Sequence, residues 1–465
     1  MRMSDAEAVM WAVEKDPALR SDFCNLTLLD HAPDEKRLRQ TLARALAAIP
    51  RLRERVVSAP LRIAPPEFTE DPSLDLEYHV RRIAVPAPGD IRDVLDVSAQ
   101  LAEGSLDRSR PLWEFTLIDG LADGRAALLQ KIHHTISDGV GGLRLSRALL
   151  DLEPDPPPVR HLDDIDELDD GEDASPTAGA GPRDVLRGAL RDATARNVDT
   201  VVAATGSTAR ALTHPTALPG MARDGFRIAQ SLRRQALVVE RAQSDVLAGR
   251  SLRRHFETHR VGLEHLKRFA AARGGSVNDA YVTGCCAALG LYHARYGSDV
   301  QELRMAMPVS TRGRADTSAN AFAPVRVLVP IQPADDIDTL FAAVHERLAA
   351  SKQEAALSVV EGLAGFAALL PTAMLVAFTR NQARTIDFAT SNLRGSPVPL
   401  YLAGSRIIAS YPFGPRVGAA LNVTTLGYAD ALDIGMNVDP AACEDIDGFM
   451  MDVRLAFATL ERHAS

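Results

Sequence analysis

Between residues 154 and 182 the chain stops reading like a folded core. Pro154-Asp155-Pro156-Pro157-Pro158 cannot continue a helix. Asp163, Asp164, Asp166, Glu167, Asp169, Asp170, Glu172 and Asp173 follow closely, then Ser175-Pro176 and a Gly/Ala stretch to Gly181-Pro182. Such a segment has little apolar surface to bury and much like charge to repel, so it is expected as a solvated linker. It divides the 465 residues into a block over 1–153, a connector over 154–250 and a block over 251–465. At roughly 100–200 residues per domain, each block is long enough to build its own core.

Both blocks mix the two hydrophobic periods. Lys36 to Ala48 is helical in spacing, whereas Trp113 to Ile118 and Ala126 to His133 are strand-like. In the second block Val277 to Tyr292 reads as a buried helix. Val325 to Ile331, Arg406 to Ser410, Leu421 to Thr425 and Leu432 to Asn437 read as strands, the last two separated by a turn near Gly427. Strands and helices alternating in each half predict an α/β class with mixed sheets, built twice. From Arg183 to Arg250 the connector looks helical and basic. Arg183, Arg187 and Arg191 share one helix face, and Arg227, Arg233, Arg234 and Arg241 extend the charge. Those arginines are either an ordinary solvated face or a contact for phosphate-bearing groups such as lipid headgroups.

Composition removes several classes. A net charge of −9 gives no broad nucleic-acid footprint. The four cysteines, Cys24, Cys285, Cys286 and Cys443, have neither zinc spacing nor the density of a disulfide framework, which points to a reducing compartment. Cys285 and Cys286 read as small buried hydrophobes. The opening Met1 to Glu7 lacks the apolar core of a signal peptide. Gly362 to Phe378 is 17 uncharged residues, the lower limit for a span, and reads better as two apolar helical pieces broken at Pro371.

The strongest chemical signal is His133-His134-Thr135-Ile136-Ser137-Asp138-Gly139. A buried strand leads into it, and Gly141, Leu145, Ala148, Leu149 and Leu152 continue at helical spacing, with Asp138 where an N-cap belongs. The histidines therefore sit on a strand-to-helix connection, a common place to present a catalytic group. Adjacent side chains on an extended segment point opposite ways, so one histidine can face a cavity while the other is held inside. An imidazole titrating near ~6.5 is available as a base at neutral pH. Asp138 is its tautomer partner or a brace for the loop, for instance through an arginine, and Gly139 permits close backbone approach. A structural histidine pair in a turn is the alternative. No nearby ligands complete a metal set.

The string resembles the HHxxxDG motif of coenzyme A-dependent acyltransferases, the superfamily of chloramphenicol acetyltransferase and of peptide-synthetase condensation domains. Within it the chain resembles bacterial wax ester synthase/diacylglycerol acyltransferases over nearly its whole length. Pro111-Leu112-Trp113 matches the PLW element, Ser276-Val277-Asn278-Asp279 the ND element, and Met307-Pro308-Val309-Ser310 the start of the PVS segment. Thr390-Ser391-Asn392 with Gly395, then Pro399-Leu400-Tyr401-Leu402-Ala403-Gly404, resembles the SNxxG…PLYLAG segment, and Leu421-Asn422-Val423-Thr424 the LNIT strand. Thr135-Ile136-Ser137, Leu393-Arg394 and the long acidic linker depart from the common pattern and bear on acceptor preference.

The resemblance implies two chloramphenicol-acetyltransferase-like domains with a tunnel between them, joined by the acidic linker and helical segment. It implies fatty acyl transfer from acyl-CoA, a co-substrate rather than a bound cofactor, to diacylglycerol or a long-chain alcohol. His134 inherits the role of general base, with His133, Asp138 and Gly139 completing the motif. Asn278 is a polar group near the tunnel or a helix N-cap, and Ser391, Asn392 and Asn422 are candidates to line the site; Trp113 reads as core. No metal, cofactor or nucleic acid is implied. The expected location is cytoplasmic, on the inner face of a membrane or on lipid droplets. Two alternatives stand beside this: a condensation-type enzyme using carrier-bound substrates, and a lipid-binding homologue without turnover.

Overall fold

The computed structural model describes residues 2–58, 65–136, 139–156, 242–310, 322–333, 336–357 and 372–464. Fourteen strands are assigned among them: β1 Asp22–Leu29, β2 Glu54–Val57, β3 Glu67–Glu70, β4 Val80–Gly89, β5 Trp113–Leu121, β6 Ala126–His133, β7 His255–Gly262, β8 Glu302–Ser310, β9 Phe322–Pro330, β10 Phe388–Arg394, β11 Tyr401–Leu402, β12 Ser405–Phe413, β13 Leu421–Tyr428 and β14 Ala431–Val438. They form two mixed six-stranded sheets, ordered β11-β12-β1-β6-β5-β4 and β7-β14-β13-β10-β8-β9, with β2-β3 apart. The α/β expectation holds, with helices packed on both sheets.

The first sheet is not built from the N-terminal block alone. β12 pairs antiparallel with β1, setting Cys24 opposite Phe413 and Leu28 opposite Ala409. The 251–465 block therefore lends two strands to the sheet that carries the histidines, while residues 242–250 place Leu247 in the second core. The loan is fastened at its tip. Tyr401 and Asp151 exchange backbone hydrogen bonds of 2.9 and 2.8 Å. The β11–β12 turn takes Ala403 and Gly404 through positive φ, 48° and 95°. That backbone needs glycine in at least one place.

β12 also packs against the second sheet, so it is the seam of the molecule. Phe413 stacks on Phe256 of β7 at 4.0 Å. Ser410 N–H donates to Asp433 on β14 (2.8 Å), and Asn437 donates to the Gly414 carbonyl (2.9 Å). Gly435 lies so close to β12 that a Cβ there would sit 2.1 Å from the Pro412 carbonyl oxygen.

Asp433 is fully buried, and Arg260 lies 3.2 Å from it. Burial outweighs both the hydrogen bond and the arginine and pushes its carboxyl up to about 6. The folded protein thus holds this proton more tightly than the unfolded chain, whose carboxyl titrates near ~3.9. The stability this group contributes below pH ~4 is lost as pH rises through about 6. Asp433→Asn keeps an acceptor for Ser410. It is expected to match wild type near pH 4 and exceed it above pH 6 by up to about 3 kcal/mol. Denaturant midpoints across that range check this.

Local chemistry explains the helices that matter. Asp34 caps Glu35–Ala48, whose Leu38, Leu42, Ala45 and Leu46 make one buried stripe. Val277–Arg295 is buried on nearly all sides, because Ala, Gly and Cys dominate its middle turns. Ser276 caps it reciprocally with Asp279. Asn278 is therefore a first-turn residue and not the N-cap. All four cysteines are buried and free. The turn expected near Gly427 falls at Ala429-Asp430, with Ala429 at φ 51°.

Of Gly362 to Phe378, only 372–378 falls within the described residues, at the start of the helix Thr372–Ala383. Met374 and Phe378 are exposed there. No helix among the described residues is long and apolar enough to cross a membrane. Of the acidic linker only 154–156 is described, with Asp155 paired to Arg37 at 2.8 Å; the rest of it and Arg183 to Arg241 lie outside the described residues.

Candidate active site

β6 is buried along its length, between β1 and β5, and delivers the two histidines at its end. Their backbones are held from opposite sides. His133 N–H donates to the Leu112 carbonyl (3.0 Å), and His134 N–H donates to the Ser21 carbonyl (3.3 Å). The PLW element thus forms the edge against which the motif is registered. Ile136 N–H turns back to the His133 carbonyl (2.9 Å), closing the strand. Gly139 then opens the helix Gly139–Leu149. Asp138 lies outside the described residues.

His133 points inward and is 4% exposed. Its Nδ1 accepts from the Thr135 backbone N–H (3.1 Å) and lies 2.7 Å from Thr135 Oγ1. Its Nε2 lies 2.7 Å from both carboxylate oxygens of Glu14. With Nδ1 receiving a proton donor, the proton on Nε2 goes to Glu14, which fixes the neutral tautomer. Trp11 closes the far side edge-on at 5.9 Å.

Glu14 also accepts Ser21 N–H (2.9 Å), the residue whose carbonyl receives His134 N–H. One carboxylate therefore holds His133 through its ring and His134 through the neighbouring strand. Glu14→Ala would leave two buried donors unpaired, at roughly 1–3 kcal/mol each. We expect it to lower kcat roughly 10–100-fold through misplacement of His134, with Glu14→Gln recovering most of the loss. Steady-state rates with circular dichroism on both variants check this.

Glu14 was not singled out from sequence, although a signal exists. It ends the helix Asp5–Val13, and a carboxylate is disfavoured at a helix C-terminus. Such a residue needs a partner elsewhere.

His134 faces the other way. It is half-buried, with its ring 4.9 Å from Phe23 at 49°. The loop beyond it is braced by Arg51, which donates to the Thr135 carbonyl and pairs with buried Glu7 at 2.7 Å. An arginine was anticipated as a brace through Asp138; Arg51 braces the loop through a backbone carbonyl. Trp113 is core, with its indole N–H on the Leu52 carbonyl (2.9 Å). Its ring stacks on His79 at 4.5 Å.

The remaining candidates belong to the second half of the chain, Asn278 on the helix Val277–Arg295 and the others on β10 and β13. Asn392 on β10 donates to Asn278 at 3.3 Å, which brings the ND and SN elements together. Ser391 sits one residue along β10, opposite Thr424 of β13. Asn422 is buried and otherwise engaged. It donates to the Pro415 carbonyl (3.1 Å) and accepts from Thr424 (2.6 Å), pinning the 414–418 loop to β13.

Cys24 follows Phe23 on β1, but burial pushes its thiol up to about 12. Burial likewise raises Cys285 to about 12 and Cys443 to about 11, and Cys286 well above its ordinary value. None of the four is a ready thiolate at neutral pH.

Comparison with known proteins converges on one family. The wax ester synthase/diacylglycerol acyltransferase catalytic domain matches residues 3–281, and the C-terminal domain of the same family matches 318–461. A Mycobacterium tuberculosis protein named as a diacylglycerol O-acyltransferase is 33% identical over 98% of this chain and 91% of its own length. A second from that organism is 29% identical over 80% and 79%. Among solved structures, a wax ester synthase/diacylglycerol acyltransferase from Marinobacter aquaeolei superposes with a TM-score of 0.64 at 21% identity, covering all of both chains. The first condensation domain of the calcium-dependent antibiotic synthetase gives 0.57 at 15%, covering 100% of this chain and 97% of its own. Those two likenesses speak to the fold alone. Because both halves of the chain match in order, and the match includes the motif that β6 presents, the chain belongs to the wax ester synthase/diacylglycerol acyltransferase family and is an acyltransferase.

Proposed function

We propose that the protein transfers a fatty acyl group from acyl-CoA to a lipid alcohol, diacylglycerol or a long-chain alcohol, with His134 as general base. The observation that carries this is the placement of the histidine pair at the end of β6. His133 is buried against Glu14 and Thr135, while His134 is half-buried beside Phe23. His134 takes the acceptor hydroxyl proton as its oxygen attacks the thioester carbonyl. It then returns the proton to the departing thiolate. His133 and Glu14 set the position of that imidazole, and Asp138 and Gly139 complete the loop. Asn278 and Asn392 form a polar pair suited to contacting substrate, and Ser391 is offered as a further contact from β10.

No covalent acyl-enzyme is needed, and the raised thiols of all four cysteines support direct transfer. Initial rates with both substrates varied test the reading: intersecting lines are expected. Parallel lines with a trapped acyl-enzyme would overturn it.

A greasy acceptor implies work at a lipid surface, on a membrane face or a droplet in the cytoplasm. Exposed Met374 and Phe378 on one helix support this. Flotation with anionic liposomes is expected to carry the protein upward. Failure to float would remove the surface-binding part of the reading and leave the transfer chemistry in place.

A further inference from the structure

Beside the histidines lies a pocket made by three remote segments: 17–20, 250–254 and 416–419, with Asp439. It measures about 50 Å³, room for a few waters or one small anion. Arg20, Arg250, Arg254 and Arg416 line it, against a single lining carboxylate, Asp439.

Two of the four guanidiniums have an ion-pair partner and two have none among the described residues. Arg416 pairs with Asp439 at 2.5 Å and Arg254 with Asp22 at 2.9 Å. Arg20 meets only backbone carbonyls, Glu103 at 2.9 Å and Pro17 at 3.3 Å. Arg250 likewise holds the carbonyls of Gly418 (2.8 Å), Gly249 (2.7 Å), Leu247 and Ile386 (3.2 Å). Asp387, the other acid facing Arg250, already accepts three backbone N–H groups, from Gln243, Ser244 and Arg304. Glu103 is also near, its carboxylate accepting the Arg254 backbone N–H (2.7 Å). Arg254 supplies a second, independent sign. Its side chain is 8% exposed, yet its Nη1 is buried with no hydrogen-bond partner. A buried charged donor left open is costly unless something fills its place. Burial also lowers the Arg250 and Arg416 guanidiniums, so an added anion would relieve several groups at once.

We propose that this pocket binds a phosphate group, its four lining guanidiniums offering forks that match phosphate geometry. The pocket adjoins the reaction centre along β1. Arg20 precedes Ser21, whose carbonyl holds His134 N–H, and Asp22 is the register partner of His133. Two sources bring such a group to this enzyme. One is the nucleotide end of acyl-CoA, an assignment that rests on the transfer reading above. The other is an anionic lipid headgroup.

Thermal unfolding of the full chain is measured in sodium phosphate against sodium chloride at equal ionic strength. Phosphate is expected to raise the midpoint, Arg20→Gln to weaken the apparent affinity about tenfold, and Arg20→Lys to retain most of it. Phosphate no better than chloride, or an equal response from wild type and Arg20→Gln, would overturn the proposal. Competition with palmitoyl-CoA separates the sources. Inhibition by the free adenosine bisphosphate portion of coenzyme A assigns the phosphate to the donor, and inhibition by phosphatidylglycerol vesicles alone assigns it to lipid. For a donor site, Arg20→Gln narrows the KM difference between palmitoyl-CoA and palmitoyl-pantetheine. Phosphate binding without turnover of either thioester would sink the acyl-CoA reading and leave the phosphate site standing.

Discussion

His134→Ala is expected to lower acyl transfer by roughly 10²–10⁴-fold, the range lost with a general base, while the protein stays folded. The imidazole is half-buried and lies tilted against Phe23, so its removal opens space at a partly exposed position. The loop keeps its Arg51 brace and the Glu14–His133 bond. The loss should fall on kcat, because proton transfer matters in the transition state and little in substrate binding. His133→Ala is expected to differ. It strands the Glu14 carboxylate in the interior and should lower stability together with rate. Thiol release from palmitoyl-CoA, beside thermal midpoints for both variants, separates the two histidines.

Gly435→Val is expected to have the largest effect on folding. The first atom added at Gly435 would lie 2.1 Å from the Pro412 carbonyl oxygen, 2.8 Å from its carbon and 3.2 Å from the Phe413 ring. Two of these are backbone atoms of β12, which cannot rotate away. β12 is meanwhile held to β1 on one side and to Asp433 and Asn437 nearby. Relief therefore requires lifting the strand that joins the sheets. Overpacking of this kind costs about 1–3 kcal/mol or more, against a total stability of roughly 5–15 kcal/mol. Gly435→Ala should already lower the denaturant midpoint, and Gly435→Val should leave little soluble protein. Gly427→Ala, on neighbouring β13 with nothing within 4 Å of the added atom, is the neutral comparison.

What could be read from the chain beforehand follows physical range. β6 was placed at Ala126 to His133 because eight nearly all-buried residues leave a local hydrophobic signature. β13 and β14 were found from the same signal. The turn between them was set two residues early, because Gly427 is the obvious turn former, whereas Ala429 adopts the left-handed conformation. Asn278 reads as a candidate cap because three polar residues surround the helix start, whereas the reciprocal pair is Ser276 and Asp279.

Long-range features left no such trace. Nothing local near Phe413 announces that it pairs with Cys24. Glu14 gains meaning only once the first helix returns to β6. The arginine pocket needs three segments folded together before it exists. The motif residues were legible as chemistry, and their partners became visible only in the fold.

The central claim, acyl transfer to a lipid alcohol, is tested most directly with purified enzyme, palmitoyl-CoA, and either a diacylglycerol or a long-chain alcohol. Free thiol and ester product are measured together. The account predicts ester and thiol released in equal amounts, only when an acceptor is present. Thiol release that ignores the acceptor, or no ester with either alcohol, would contradict it.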